Sequence, residues 1–266
     1  MKKFSLILLT VFVFALIIGC DSSDNGENDL TETTEDTTIN AKWVVTNAST
    51  YESFEFNESG NYIILKTSED QRTTEEPKIL FGTYSLIDDD TIVLSDFGTL
   101  IISNIDENSI QFALALASAP EQTIQIEASK QLEIEKSTNT DLLCQTWQLV
   151  SFNGENVIGT TEALTVLFSR AGTYFVTNTS PLSSNQGGLA SWSWNNSAQT
   201  QIYYNWGQGN ETSGYADITE LTSNSLVIDE DGEISVLTPI SNSETTAVKP
   251  ENKTAKDILK TGLFKR

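Results

Sequence analysis

Aromatic side chains are the residues of this chain best suited to chemistry, and what they offer is stacking. Tyr174, Trp192, Trp194, Tyr204 and Trp206 crowd into residues 174–206, chiefly in Ser191-Trp-Ser-Trp194 and Gln201-Ile-Tyr-Tyr-Asn-Trp206. A spacing of two puts Trp192 and Trp194 on one face of a strand, and Ile202, Tyr204 and Trp206 on one face of the next. Turned into a barrel, the rings form a wall able to stack on a sugar ring or an apolar ligand. The alternative is that they fill a small barrel whose interior has room for little else. Arg170 is the only Lys or Arg between Asp141 and Ile240, hence the one group there able to pair with an acidic ligand.

Other chemistry has little to stand on. The chain has no histidine, which removes His-assisted triads and the usual zinc sites. No Gly-rich loop joins a strand to a helix, and the spacing of Glu155, Glu162, Asp217 and Glu220 singles out no acid/base pair. Asp88-Asp-Asp90 and Asp229-Glu-Asp-Gly-Glu233 carry oxygen ligands of the kind calcium takes, but Asp-Gly is also a favoured two-residue hairpin turn, and we read both clusters as solvated turns. Cys144, at the end of Leu142-Leu-Cys144, reads as a small buried hydrophobe. The expectation is no enzyme, no cofactor and no metal.

The elements that position the aromatics are strands. Leu164, Val166 and Phe168 alternate along one face, Arg170-Ala171-Gly172 form a three-residue loop, and Tyr174 and Val176 resume the same face. This predicts a hairpin with Phe168 opposite Tyr174 and Gly172 left-handed. The same hairpin occurs earlier: Ser53–Ile64 matches Thr165–Val176 without a gap, and Ile105–Phe112 matches Leu221–Ile228. Trp43 and Trp147 precede the hairpins, and Tyr84 and Leu86 stand where the second copy has Trp192 and Trp194. Repeated landmarks in one order mean two copies of one domain. The first copy, residues 41–136, divides into short alternating strands separated by Asn57–Gly60, Asp88–Asp90, Asp96–Gly98 and Asp106–Asn108. Phe112-Ala-Leu-Ala-Leu-Ala has helical propensity, but its match to Leu226-Val-Ile argues for strand. A polar linker at Ser137–Asp141 leads to the second copy, residues 141–240. Its Asn178–Gly188 stretch, rich in Ser, Asn and Gly, reads as a barrel-mouth loop.

The ends carry different signals. Met1-Lys-Lys3 followed by apolar Phe4–Ile18 suits a secretory signal over residues 1–19, too short to span a membrane. Residues 20–40 show no apolar periodicity, and Asp21–Asn40 holds seven acidic and no basic residues, a composition expected to be a disordered tether. Residues 241–266 form a polar tail, frayed or a short helix around Ile258, Leu259, Leu263 and Phe264. Cleavage would remove Lys2 and Lys3, leaving 13 basic against 37 acidic residues, a net charge of −24. That excludes nucleic acid as a partner and admits a neutral or cationic ligand.

Two resemblances follow from these residues. Leu16-Ile-Ile-Gly-Cys20 resembles the lipobox of bacterial lipoproteins, which implies acylation of Cys20, a membrane contact through lipid and no intrachain disulfide. Trp147, Val166-Leu-Phe168, Gly172-Thr-Tyr174, Trp192-Ser-Trp194 and Leu221-Thr-Ser-Asn-Ser-Leu226 resemble the lipocalin-like domains of Bacteroidetes lipoproteins. The first copy keeps Trp43, Phe56, Gly60, Tyr62 and Asn108-Ser-Ile110. The likeness implies an all-β chain of two tandem eight-stranded antiparallel up-and-down barrels, held at the outer membrane. Acidic residues after Cys20 resemble a Bacteroidetes surface-export signal; in proteobacteria Asp21 would instead indicate inner-membrane retention. The implied function is binding of a small apolar or carbohydrate ligand by the second barrel. The alternative is a structural module with filled barrels and an envelope protein as partner.

Overall fold

The computed structural model describes residues 39–67, 78–160, 163–178, 188–207, 213–240 and 263–264. The signal segment, most of the tether, the core of the Asn178–Gly188 loop and most of the polar tail lie outside them. Two closed antiparallel barrels stand in tandem. The first runs β1 (Lys42–Val45), β2 (Tyr51–Phe56), β3 (Asn61–Lys66), β4 (Lys78–Leu86), β5 (Thr91–Leu94), β6 (Gly98–Ile105), β7 (Ser109–Leu116) and β8 (Thr123–Lys130). Each strand pairs with its successor, and β1 closes on β8 with Trp43 opposite Lys130. Closure leaves no sheet edge to template aggregation.

The linker at Ser137–Asp141 is more than polar chain. It starts the one helix of the described residues, α1 (Thr138–Leu143), with the Ser137 hydroxyl accepting from the Thr140 amide. The second barrel follows as β9 (Thr146–Phe152), β10 (Glu155–Asn156), β11 (Leu164–Phe168), β12 (Thr173–Asn178), β13 (Gly188–Trp194), β14 (Gln201–Asn205), β15 (Ser213–Leu221), β16 (Leu226–Glu230) and β17 (Glu233–Pro239). β17 closes on β9, with Pro239 opposite Trp147, and the two-residue β10 only extends β9 through an Asn153-Gly154 turn. Both turn residues have positive φ, as a type I′ hairpin requires.

Alternation explains the cores. In β7, Ile110, Phe112 and Leu114 are buried while Gln111 faces water, so period two overrides the helical propensity of its Ala-Leu run. The duplication extends to irregularities. A β-bulge sits between Ile102 and Asn104 in β6 and between Ile218 and Glu220 in β15, at matched positions. The extra residues, Ser103 and Thr219, each donate a side-chain hydroxyl to the facing strand, at Gln111 and Val227. Bulges increase local twist, which helps a short sheet curl onto itself. The first-strand tryptophans also match: each indole N–H donates to the carbonyl four residues back, Trp43 to Ile39 at 2.9 Å and Trp147 to Leu143 at 3.0 Å. Ile39 and Asn40, read above as tether, therefore belong to the first barrel. Ile39 is buried in its core, and Asn40 accepts from the Tyr84 hydroxyl.

Both hairpins form in the expected register, Phe56 opposite Tyr62 and Phe168 opposite Tyr174. Gly60 and Gly172 have φ of 72° and 75°. An alanine at either position meets the left-handed penalty, about 1–2 kcal/mol. A Cβ on Gly60 meets nothing within 4 Å, whereas one on Gly172 lies 3.1 Å from the Trp192 carbonyl oxygen. Gly172→Ala is accordingly expected to cost more stability than Gly60→Ala in paired urea titrations. Equal costs would mean that the second hairpin yields at no expense.

The barrels pack through the outer faces of these hairpins. Ile63, Ile79, Leu167 and Phe175 form a separate buried cluster, and the Phe81 and Phe175 rings lie 4.7 Å apart. Here the outward positions are apolar, which explains Leu167 and Phe175 beside the inward Val166, Phe168 and Tyr174. Glu55 is caught in this contact. It is 2 % exposed and accepts from the Thr173 hydroxyl of the other barrel at 2.6 Å. Burial raises its carboxyl above the usual 4.5, against the pull of Lys42 and of the Ser169 and Thr173 hydroxyls. The folded protein therefore binds a proton here more readily than the unfolded chain, so this group costs stability as pH rises from 4.5 through the raised value. Glu55→Gln is expected to flatten that slope in urea titrations run from about pH 4 to about pH 8. An unchanged slope would show that Glu55 does not carry it.

Candidate functional site

The interior of the second barrel gathers the expected wall. Tyr174 comes from β12, Trp192 and Trp194 from β13, and Tyr204 from β14; Trp206 follows directly after it. All five belong to one core cluster or pack against it. Tyr174, Trp192 and Tyr204 are buried, whereas Trp194 and Trp206 are half-buried. Pairing of Trp192 with Tyr204 and of Trp194 with Ile202 sets the wall across β13 and β14. Trp192 meets Trp194 edge-on at 5.5 Å, Tyr174 meets Trp206 at 5.4 Å, and Phe168 lies 5.0 Å from Tyr174.

Hydrogen bonds fix the rings. The Trp192 indole N–H donates to the Ser169 carbonyl at 3.0 Å, and that of Trp194 to the Thr140 hydroxyl at 3.0 Å, which ties the wall to α1. The Tyr204 hydroxyl donates to Glu230. Glu230 is buried, at 3 % exposure. Sequence reasoning placed it at a solvated hairpin tip, yet a signal existed: Leu226, Ile228 and Glu230 alternate, and β16 turns all three inward. The turn itself is Asp231-Gly232, both at positive φ, with the Gly232 amide donating to Asp229. Asp88 likewise accepts from the Asp90 amide. Among the described residues no group of three or more His, Cys, Asp or Glu side chains converges as metal ligands do.

Arg170 is not part of the wall. It sits on the β11–β12 loop, where Asp141 of α1 and Glu58 of the first barrel engage its guanidinium. A ligand carboxylate would have to compete with both. Cys144 caps α1, and burial pushes its thiol up to about 12, which leaves it protonated and a poor nucleophile.

The residues that sequence reasoning missed lie in the tail. Leu263 and Phe264 are 5 % and 2 % exposed and belong to the second core, so at these positions the tail is not frayed. The Phe264 ring stacks on Tyr204 at 4.3 Å with 5° between planes, lies 4.6 Å from Tyr174 and 6.4 Å from Phe168. The sequence signal was the weak apolar pattern of Ile258, Leu259, Leu263 and Phe264 in an otherwise polar tail. Burial, then the charge of Glu230, raises the Tyr174 phenol well above its usual value, with the Leu263 amide opposing. Burial followed by Glu230 does the same to Tyr204. Both phenols therefore stay neutral and serve neither as bases nor as nucleophiles; only that of Tyr204 has an acceptor in place, Glu230.

The first barrel differs at these positions. Tyr84, Ile92 and Leu94 replace Trp192, Ile202 and Tyr204, and Leu86, in place of Trp194, is 56 % exposed. Among the described residues its core comes from Ile39 to Ala128 alone. No family model and no curated protein matches the chain.

Proposed function

We propose that this chain is a lipid-anchored protein of the cell envelope, held at the outer membrane through Cys20, whose second barrel binds a small apolar ligand without catalysing a reaction. The observation that carries the reading is the ring space between Tyr174 and Tyr204. A residue from outside the sheet fills it, whereas among the described residues the core of the first barrel comes from its own strands and their flanks. A slot that the strands leave open is a slot for something else. Its lining of fully buried rings favours an apolar ligand over a glycan, whose hydroxyls each need a partner when buried. The lipocalin-like pattern and the lipobox support the same placement.

Titrating the mature chain with apolar aromatics and with oligosaccharides, followed by tryptophan fluorescence, tests the binding. The expected result is a saturable shift with the first class and none with the second. Mass spectrometry of the amino-terminal peptide tests the anchor, and an unmodified Cys20 would remove it. One observation favours a second reading, a structural module. The interior is already closed by Trp192, Trp194 and Phe264, and a flat titration with every probe would leave that reading standing.

A further inference from the structure

We propose that the position of the Phe264 ring is a binding site for a planar aromatic group carrying a hydrogen-bond acceptor, and that Phe264 is its built-in competitor. This rests on the reading of the second barrel as ligand-binding and names both the ligand class and the regulation of that site.

Three observations converge. Tyr204 and Tyr174 bracket the ring at 4.3 and 4.6 Å, one parallel and one tilted, with Phe168 behind. That is a slot for a flat ring. Phe264 belongs to no strand, and β17 closes on β9 without it; its departure leaves the barrel ladder intact. The slot also has a polar requirement that phenylalanine does not meet. Among the described residues nothing accepts the proton of the buried Tyr174 hydroxyl; the one backbone group that acts on the phenol, the Leu263 amide, is itself a donor. A buried phenol without an acceptor is a costly arrangement, and a ligand bringing a carbonyl or ether oxygen beside its ring relieves it. Phe264, tethered to the same chain, competes at a high effective concentration. Ligand must therefore displace it, and binding frees Leu263 and Phe264 from the core.

The test uses 2-acetylnaphthalene, which has a ring and a carbonyl acceptor, and 2-ethylnaphthalene, which lacks the acceptor. Affinity is measured by tryptophan fluorescence on the full chain, its F264A variant and its Y174F variant. A second measurement places 4-fluorophenylalanine at position 264 and follows its fluorine resonance. The ring currents of Tyr174 and Tyr204 should shift that resonance in the free protein. The expected results are at least tenfold tighter binding of 2-acetylnaphthalene to F264A, and loss in Y174F of the preference over 2-ethylnaphthalene. The fluorine resonance should move to its solvent-exposed value as the probe saturates. The fluorine readout keeps the barrel otherwise native, so poor folding of F264A does not rescue the proposal. Equal affinity for wild type and F264A with an unmoved resonance overturns the competition but leaves the ligand-binding reading intact. Binding to neither overturns the site, and overturns that reading too when the broader apolar and sugar titrations are also flat.

Discussion

Trp147→Ala is expected to destabilise the second barrel by about 3–5 kcal/mol, the range for emptying a buried large aromatic site. Trp147 has no exposed surface and belongs to the second core. It is also where the barrel closes, since β9 pairs with β11 on one side and β17 on the other at this residue. Its indole N–H donates at 3.0 Å to the Leu143 carbonyl, at the last residue of α1, which also accepts from the Gln145 amide at 2.8 Å, so alanine leaves a cavity and removes one of that carbonyl's two hydrogen bonds. Trp147→Phe separates the two. It keeps most of the ring and should lose about 1–3 kcal/mol through the lost hydrogen bond and the smaller volume. The measurement is urea denaturation followed by circular dichroism. Trp43 is the only tryptophan of the first barrel, so its emission, in chains with phenylalanine at 192, 194 and 206 and either alanine or phenylalanine at 147, reports whether that barrel follows. A native total of about 5–15 kcal/mol makes the alanine loss a large fraction of what holds a barrel folded. A loss under about 1 kcal/mol would mean that β9 repacks around the void.

The sequence carried the barrels because their signals are local and repeated. Alternation in Leu164–Phe168 and a loop ending in Gly172 leave one register open to the hairpin, and the gap-free match of Ser53–Ile64 repeats that constraint in the first copy. Trp192, Trp194 and Tyr204 were legible as one wall for the same reason, since period two fixes which face each ring takes once the strand is known. What escaped was set by contacts far apart along the chain. Glu55 lies between Phe54 and Phe56 in perfect alternation and should face water; it does not, because Ser169 and Thr173 of the other barrel meet it there. Phe264 lies in a polar tail with only a weak helical pattern, and nothing local tells a frayed end from one that returns to a core. Arg170 was read as a ligand partner for want of another cation nearby. Its actual partners, Asp141 and Glu58, belong to the helix and to the other barrel.

Gly98→Ala is expected to be the most damaging change of a single methyl group, about 3 kcal/mol or more, at the upper end for overpacking. A Cβ on Gly98 would fall well inside contact distance of the Ala115 carbonyl oxygen and 3.1 Å from the Leu116 Cα. Both obstacles are backbone of β7, paired with β6 at this point, so relief requires moving a strand in a closed ladder. Gly214 is its counterpart at the start of β15, where the obstacle is instead the Tyr204 ring, with Cζ at 2.7 Å. A side chain can swing where a strand cannot, so Gly214→Ala should cost less, about 1–2 kcal/mol. Its effect should appear elsewhere. The ring it pushes holds the hydrogen bond to Glu230 and forms one wall of the Phe264 slot. Near-ultraviolet circular dichroism should therefore change markedly in Gly214→Ala at a modest loss of stability. Gly98→Ala should lose stability while leaving the aromatic signals of the second barrel in place. If Gly214→Ala costs under about 1 kcal/mol and leaves those signals undisturbed, the Tyr204 ring is not pinned between Gly214 and Phe264, and the slot is looser than its 4.3 Å stacking distance indicates.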